Sequence, residues 1–174
     1  LNKPVGYECT LDSTTGKPTV VELFDTDSRI FPVGRLDADT RGLILLTNDG
    51  ELAHLVMHPR SSIDKVYRVS VNGLVPQQKI HMMRQGIELE EARTRPCEIE
   101  VIERDENRTV MRFTLHEGRK RQIRRMLDKV GFKVMDLQRE RVGNITLEGL
   151  KEGRHRALEN HEVQGLLDLA SQGS

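Results

Sequence analysis

The segments Cys97-Glu98-Ile99-Glu100-Val101-Ile102-Glu103 and Thr109-Val110-Met111-Arg112-Phe113-Thr114-Leu115-His116 decide the fold class. Apolar and polar residues alternate strongly in both, which is the spacing of a strand with one face buried. Between them Arg104–Arg108 is wholly polar and reads as the turn of a hairpin. Lys65–Val71 follows the same rule: Tyr67, Val69 and Val71 alternate with Val66, Arg68 and Ser70, and its β-branched content is that of a strand. Gly42–Thr47 is an apolar run ended by Asn48-Asp49-Gly50 and reads as a buried strand. Lys133–Leu137 and Ile145–Leu147 are read as two short strands.

Helical spacing marks the remaining segments. Thr19–Phe24 follows Pro18, and proline is favoured at a helix start. Glu51–His58 places Leu52, Leu55 and Val56 on one face and stops at Pro59. Pro76–Gln85 turns Ile80 and Met83 inward, with Gly86 as the stop, and Arg119–Val130 carries Ile123, Met126, Leu127 and Val130 before Gly131. Glu159–Ala170 is an amphipathic helix, followed by a polar tail at Ser171–Ser174. Strands outnumber helices and succeed one another as hairpins rather than as βαβ units. The expected class is therefore α+β on a mixed, largely antiparallel sheet with flanking helices.

The 174 residues fit one domain, or one domain in two lobes. No apolar run approaches the roughly 20 residues that span a bilayer, so no membrane role is expected. The chain opens on Leu1 with no basic-then-apolar leader, which reads as a start inside a longer gene product. Cys9 and Cys97 belong to no CxxC or Cys/His cluster, so a reducing cytoplasm is the expected setting. The 27 basic and 27 acidic residues cancel, which argues at first sight against a nucleic-acid partner. The distribution says otherwise: residues 1–60 carry net −3, whereas 111–141 hold 10 bases and 4 acids, net +6.

Metal chemistry has little support. His54 and His58 are four apart, but Leu55 stands where a zincin has its glutamate, so they read as surface or helix-end histidines. No GxSxG elbow and no glycine-rich nucleotide loop occurs. The segment Gly34-Arg35-Leu36-Asp37-Ala38-Asp39-Thr40-Arg41-Gly42-Leu43 is more informative, with two acids and two arginines between glycines and directly before a buried strand. It is either a polar turn in which Asp37 or Asp39 caps the backbone, or a catalytic loop. Glu117-Gly118-Arg119-Lys120-Arg121-Gln122-Ile123-Arg124-Arg125-Met126 places five bases at the start of a helix, where the macrodipole disfavours cations. A phosphate or a carboxylate from elsewhere must compensate, unless the bases form a solvated face. Tyr67 is either a half-buried strand tyrosine or a stacking platform for one flipped base.

These segments together resemble the ordered motifs of a pseudouridine synthase, in the bacterial branch that modifies a single uridine of ribosomal RNA. The resemblance is carried by Leu1-Asn2-Lys3-Pro4-Val5-Gly6-Tyr7, by Gly34-Arg35-Leu36-Asp37 with Thr40 and Gly42-Leu43, by Lys65-Val66-Tyr67, and by Glu117-Gly118-Arg119 with Arg121-Gln122-Ile123-Arg124-Arg125-Met126, and it extends to about Leu158. Two features depart from the branch. Lys120 stands where asparagine is common, and the small N-terminal RNA-binding domain usual in the branch is absent from this chain.

The resemblance implies a two-lobed catalytic domain over residues 1–174 with its active site in the cleft between the lobes. It implies Asp37 as catalytic carboxylate, Arg124 as its partner and Tyr67 as the group that stacks on the flipped uracil. Arg35 would fill the gap left in the RNA or hold a phosphate, and Arg119, Lys120, Arg121 and Arg125 would contact the RNA backbone. The implied enzyme is a cytoplasmic monomer acting on ribosomal RNA, or on ribosome-assembly intermediates, with no metal, cofactor or membrane. A non-catalytic RNA-binding or ribosome-assembly module of the same fold is the rival from another class, and a synthase acting on transfer RNA is a third reading.

Overall fold

The computed structural model describes residues 1–61 and 63–172. In chain order the first elements are β1 (Asn2–Lys3), a 3-10 helix (Val20–Leu23), β2 (Phe31–Val33), β3 (Arg41–Leu43), β4 (Leu45–Thr47) and α1 (Gly50–Met57). They are followed by β5 (Lys65–Asn72), α2 (Gln77–Arg84), β6 (Glu98–Arg104), β7 (Arg108–Leu115), α3 (Gln122–Lys129), β8 (Val134–Val142), β9 (Ile145–Thr146) and α4 (Asn160–Gln172). The expected α+β class, with a mostly antiparallel sheet, is what the chain forms. Two compact units share it: Leu1–Ile63 with Arg139–Ser174, and Asp64–Gln138. Of the polar tail, Ser171 and Gln172 extend α4, whereas Gly173 and Ser174 lie outside the described residues.

In the first unit β1 pairs antiparallel with β3, β2 with β4, and β8 with β9. The apolar run at 42–47 is thus not one strand. It breaks at the fully buried Ile44, so that β3 meets one neighbour and β4 another. Ile44 N–H donates to the Leu1 carbonyl at 3.0 Å, which pairs the backbone at the break. Gly42 makes this geometry possible. Its φ is +115°, and a Cβ there would collide with the backbone of Arg139. The Arg139 side chain is itself buried and donates from Nε to the Leu43 carbonyl at 2.8 Å.

Asp49 caps α1 by accepting from the Glu51 and Leu52 amides, at 2.9 and 3.1 Å. Ala53 and Val56 are the buried residues of α1, while Leu55 is 44% exposed. The expected face was therefore displaced: Leu55 points out, and the small Ala53 packs in its place with Leu52 partly buried. β8 runs to Val142, well past the expected end at Leu137, because Gly143 and Asn144 make the turn into β9. Thr19 caps the start of the 3-10 helix and forms a capping box with Glu22.

The second unit is the β5–β7–β6 ladder with α2 and α3. β7 lies in the middle, so Phe113 is opposite Tyr67 on one side and Ile99 on the other. The hairpin is as its alternation required, with one irregularity between Val101 and Glu103 that leaves Ile102 37% exposed. Ile80, Met83, Ile123, Met126 and Leu127 pack with Val69, Met111 and Phe113 in one apolar core. Each such side chain contributes about 1.5–3 kcal/mol on burial.

Candidate RNA-modification site

Asp37 sits on a loop held from both sides. The Leu36 N–H donates to Cys9 Sγ at 3.3 Å, and the Leu36 side chain is buried. On the other side Gly6 N–H donates to the Ala38 carbonyl at 2.7 Å, and Thr40 N–H closes a turn onto the Asp37 carbonyl at 3.0 Å. Asp37 is half-buried, whereas Asp39 and Arg35 are exposed. The loop thus presents a carboxylate from a rigid frame.

Lys3 lies beneath this loop and is fully buried, a rare place for a lysine. Its Nζ donates to the Pro4 carbonyl at 2.8 Å and to the Ala38 carbonyl at 3.4 Å. Burial pulls its pKa below the ordinary lysine value, against the opposing pull of the Cys9 thiol, Asp39 and Asp37. Burial likewise pushes the Cys9 thiol up, so that it stays a neutral acceptor. Neither residue stood out chemically in the sequence: Lys3 was part of a quoted motif, and Cys9 was a lone thiol.

Lys3→Met is expected to lower turnover about tenfold or more, because it removes a donor from the carbonyl next to Asp37. RNA affinity should change less than threefold. The wild-type stability should rise with pH between the depressed folded pKa and the ordinary lysine value, since there the unfolded chain binds the extra proton. That rise should vanish in Lys3→Met, and urea titrations between pH 7 and 10.5 read it directly. A persisting rise would exclude Lys3 as its source.

In the second unit the basic segment differs from its expected form. α3 begins at Gln122, not Arg119, and Arg121 precedes it in the left-handed conformation at φ 52°. Arg119, Lys120 and Arg121 are therefore loop residues, and only Arg124 and Arg125 stand in the first helical turn, which relieves much of the expected conflict with the macrodipole. The compensating carboxylates are Glu117 and Glu91. Arg119 Nε donates to Glu117 at 2.9 Å, and its two terminal nitrogens donate to the Ala92 and Arg93 carbonyls at 3.0 and 2.8 Å. Arg125 grips both oxygens of Glu91. Glu117 also accepts from Gln122 Nε2 and from the Arg95 amide, each at 2.8 Å. Lys120 and Arg121 are exposed.

The hydrogen bond from Arg125 holds the Glu91 carboxyl down to about 2. The contribution of this pair is complete above the ordinary glutamate value of 4.5 and is lost as pH falls from there toward 2. Glu91→Gln is expected to flatten the stability-against-pH curve in that window, and to do so less in high salt. Denaturation midpoints at pH 6 and pH 3 check it; an unchanged difference between them would refute it.

Tyr67 on β5 is half-buried and packs against the apolar core. Arg124 is half-buried, with its Nε closed off from solvent. Asp37 belongs to the first unit, and Tyr67 and Arg124 to the second. The His54 and His58 rings are 5.6 Å apart at a tilt, and His58 Nδ1 accepts from the Arg60 amide at 3.2 Å, a helix-end role. Among the described residues no three His, Cys, Asp or Glu side chains are grouped to hold a metal, and no helix is long and apolar enough to cross a membrane.

Comparison with known proteins identifies the family. A family model described as RNA pseudouridylate synthase matches residues 1–129. The ribosomal large subunit pseudouridine synthase B of Bacillus subtilis is 41% identical over 99% of this chain and 72% of its own length. The ribosomal small subunit pseudouridine synthase A of Escherichia coli is 37% identical over 96% of this chain and 72% of its own length. A crystal structure of a pseudouridylate synthase superposes with a TM-score of 0.86 at 34% identity, over 95% of this chain and 71% of that one. An archaeal box H/ACA complex, at 19% identity and a TM-score of 0.58, shares the fold alone. By the family model over residues 1–129 and by these relatives, this chain belongs to the RNA pseudouridylate synthase family.

Proposed function

We propose that this chain isomerises one specific uridine of ribosomal RNA to pseudouridine, with Asp37 as the catalytic carboxylate. The observation that carries the reading is the Asp37 loop, tied at Leu36 and Ala38 so that a half-buried carboxylate is aimed without reorganisation. In the reaction the bond from ribose C1′ to uracil N1 breaks and a bond from C1′ to C5 forms. The C5 proton leaves to solvent and N1 regains one. Asp37 acts as nucleophile at C1′ or as base at the neighbouring sugar carbon, and either role needs the ionised form. Arg124 keeps it so.

Tyr67 stacks on the flipped uracil, and Arg35 fills the gap the base leaves. Lys120 and Arg121 contact phosphates, while Arg119 and Arg125 take part in the same basic face from their ion pairs with Glu117 and Glu91. Residues 1–174 form the catalytic domain, working as a monomer in the cytoplasm on ribosomal RNA or its assembly intermediates, without metal or organic cofactor. Two relatives named for ribosomal subunits, one large and one small, support the substrate class.

Ribosomal RNA tritiated at uracil C5 tests the reading. The enzyme should release label as water at one site per RNA. Tight binding of the RNA with no release would assign the chain to RNA binding or ribosome assembly instead.

A further inference from the structure

We propose that the hairpin of residues 87–95 is a second RNA-contact element, which presents Arg93 and Arg95 to the phosphate backbone beside Lys120 and Arg121. The proposal rests on the reading of the chain as an RNA-modifying enzyme and assigns the surface that reading leaves undefined.

The hairpin is built from alternation. Leu89 N–H donates to the Ala92 carbonyl at 3.2 Å, and Thr94 N–H donates to the Ile87 carbonyl at 2.9 Å, with Glu88 opposite Arg93. Ile87, Leu89 and Thr94 are buried, and Ile87 and Leu89 join the core of the second unit. The Thr94 hydroxyl closes the base of the hairpin by accepting from the Ile87 amide at 2.9 Å. At Gly86 a Cβ would collide with the Thr94 carbonyl, so the two ends of the hairpin are in close contact. The strand period of two then forces Arg93 and Arg95 outward, and both are exposed.

The hairpin is also stapled to the basic loop. Arg119 donates to the carbonyls of Ala92 and Arg93, Arg125 binds Glu91, and the Arg95 amide donates to Glu117. These bonds consume Arg119 and Arg125 and give them a second duty: they lock the arm against the 117–121 loop. Arg93 and Arg95 on the hairpin are exposed, as are Lys120 and Arg121 on the neighbouring loop. Glu88 and Glu90 are exposed on the same hairpin. They lower its net charge, so sequence composition conceals the site. An exposed arginine pair held on a rigid strand suits phosphate oxygens, because the forked guanidinium binds them bidentately at little entropic loss.

The test is the salt dependence of binding, measured with the 174-residue chain against an unstructured 20-nucleotide RNA and against deproteinised ribosomal RNA. Each lost phosphate contact should lower the slope of log K against log salt by about 0.7 on the single strand. Arg93→Ala with Arg95→Ala should therefore lower it by about 1.4, with unfolding temperature unchanged because neither side chain is buried. Arg93→Lys with Arg95→Lys should restore most of the slope. An unchanged slope in the double alanine variant overturns the proposal, as does a loss confined to an acidic polypeptide such as polyglutamate. Asp37→Ala separates this from the reading beneath it: that variant should keep the wild-type slope. Wild-type enzyme that binds with the full slope but releases no tritium would refute the catalytic reading and leave the arm standing.

Discussion

Asp37→Asn is expected to abolish pseudouridine formation, lowering turnover by on the order of 10⁴-fold or more, the scale of losing a group that acts directly on the reacting bond. The asparagine keeps the shape of the side chain but is neither anionic nor basic. It can neither attack C1′ nor accept a proton from the sugar. Because backbone hydrogen bonds at Leu36, Ala38 and Thr40 hold the loop, the substitution should leave the fold intact. RNA affinity should remain within about threefold of wild type. Tritium release under single-turnover conditions measures the loss, and filter binding measures the retained affinity. Release at more than about a tenth of the wild-type rate would remove Asp37 from the chemistry. A joint loss of binding and release would show that the variant had damaged the loop instead.

Gly42→Ala should be the most damaging conservative change in the first unit. The left-handed conformation at φ +115° costs a residue with a Cβ about 1–2 kcal/mol. The new methyl group also meets the backbone carbonyl and amide of Arg139, which cannot swing away as a side chain could. Overpacking against a fixed neighbour adds about 1–3 kcal/mol, so a total loss of about 3 kcal/mol or more is expected. Many small domains have only about 5–15 kcal/mol of stability. The clash also sits in the middle of β3, two residues beyond Thr40, so surviving protein should have lost activity as well. Urea denaturation gives the stability, and a midpoint equal to wild type would mean that the two backbones separate at little cost.

Much of the fold was legible because strands and helices are local patterns. The 97–116 hairpin, β5 and α2 could be read from spacing, since a period of two or of 3.6 depends on the chain's own geometry. The failures came where a local pattern met a non-local choice. The run 42–47 has the composition of one buried strand, yet Ile44 changes pairing partners between β1 and β2, whose positions no spacing within the run records. Leu55 is as apolar as Leu52, but the small Ala53 lets α1 approach its neighbours more closely, so Ala53 and Val56 take the inner face. Arg119–Arg121 have good helical propensity. They stay outside α3 because Arg119 is bound to carbonyls more than 25 positions away in the chain.

The same division holds for the site. The residue types and order of the motifs around Asp37, Tyr67 and Arg124 were sufficient to name the family, because four motifs in the right order are far more specific than any one of them. The sequence by itself also determined the class of fold and the segregation of positive charge into 111–141. Only the tertiary structure decided which of those charges are outward-facing. It assigned Glu91 and Glu117 to Arg125 and Arg119, and it buried Lys3 under the Asp37 loop. Charge pairing and burial depend on distances between residues far apart in the chain, and periodicity carries no information about those distances. A net charge is a sum over residues, whereas a charged face is the subset that the fold leaves exposed.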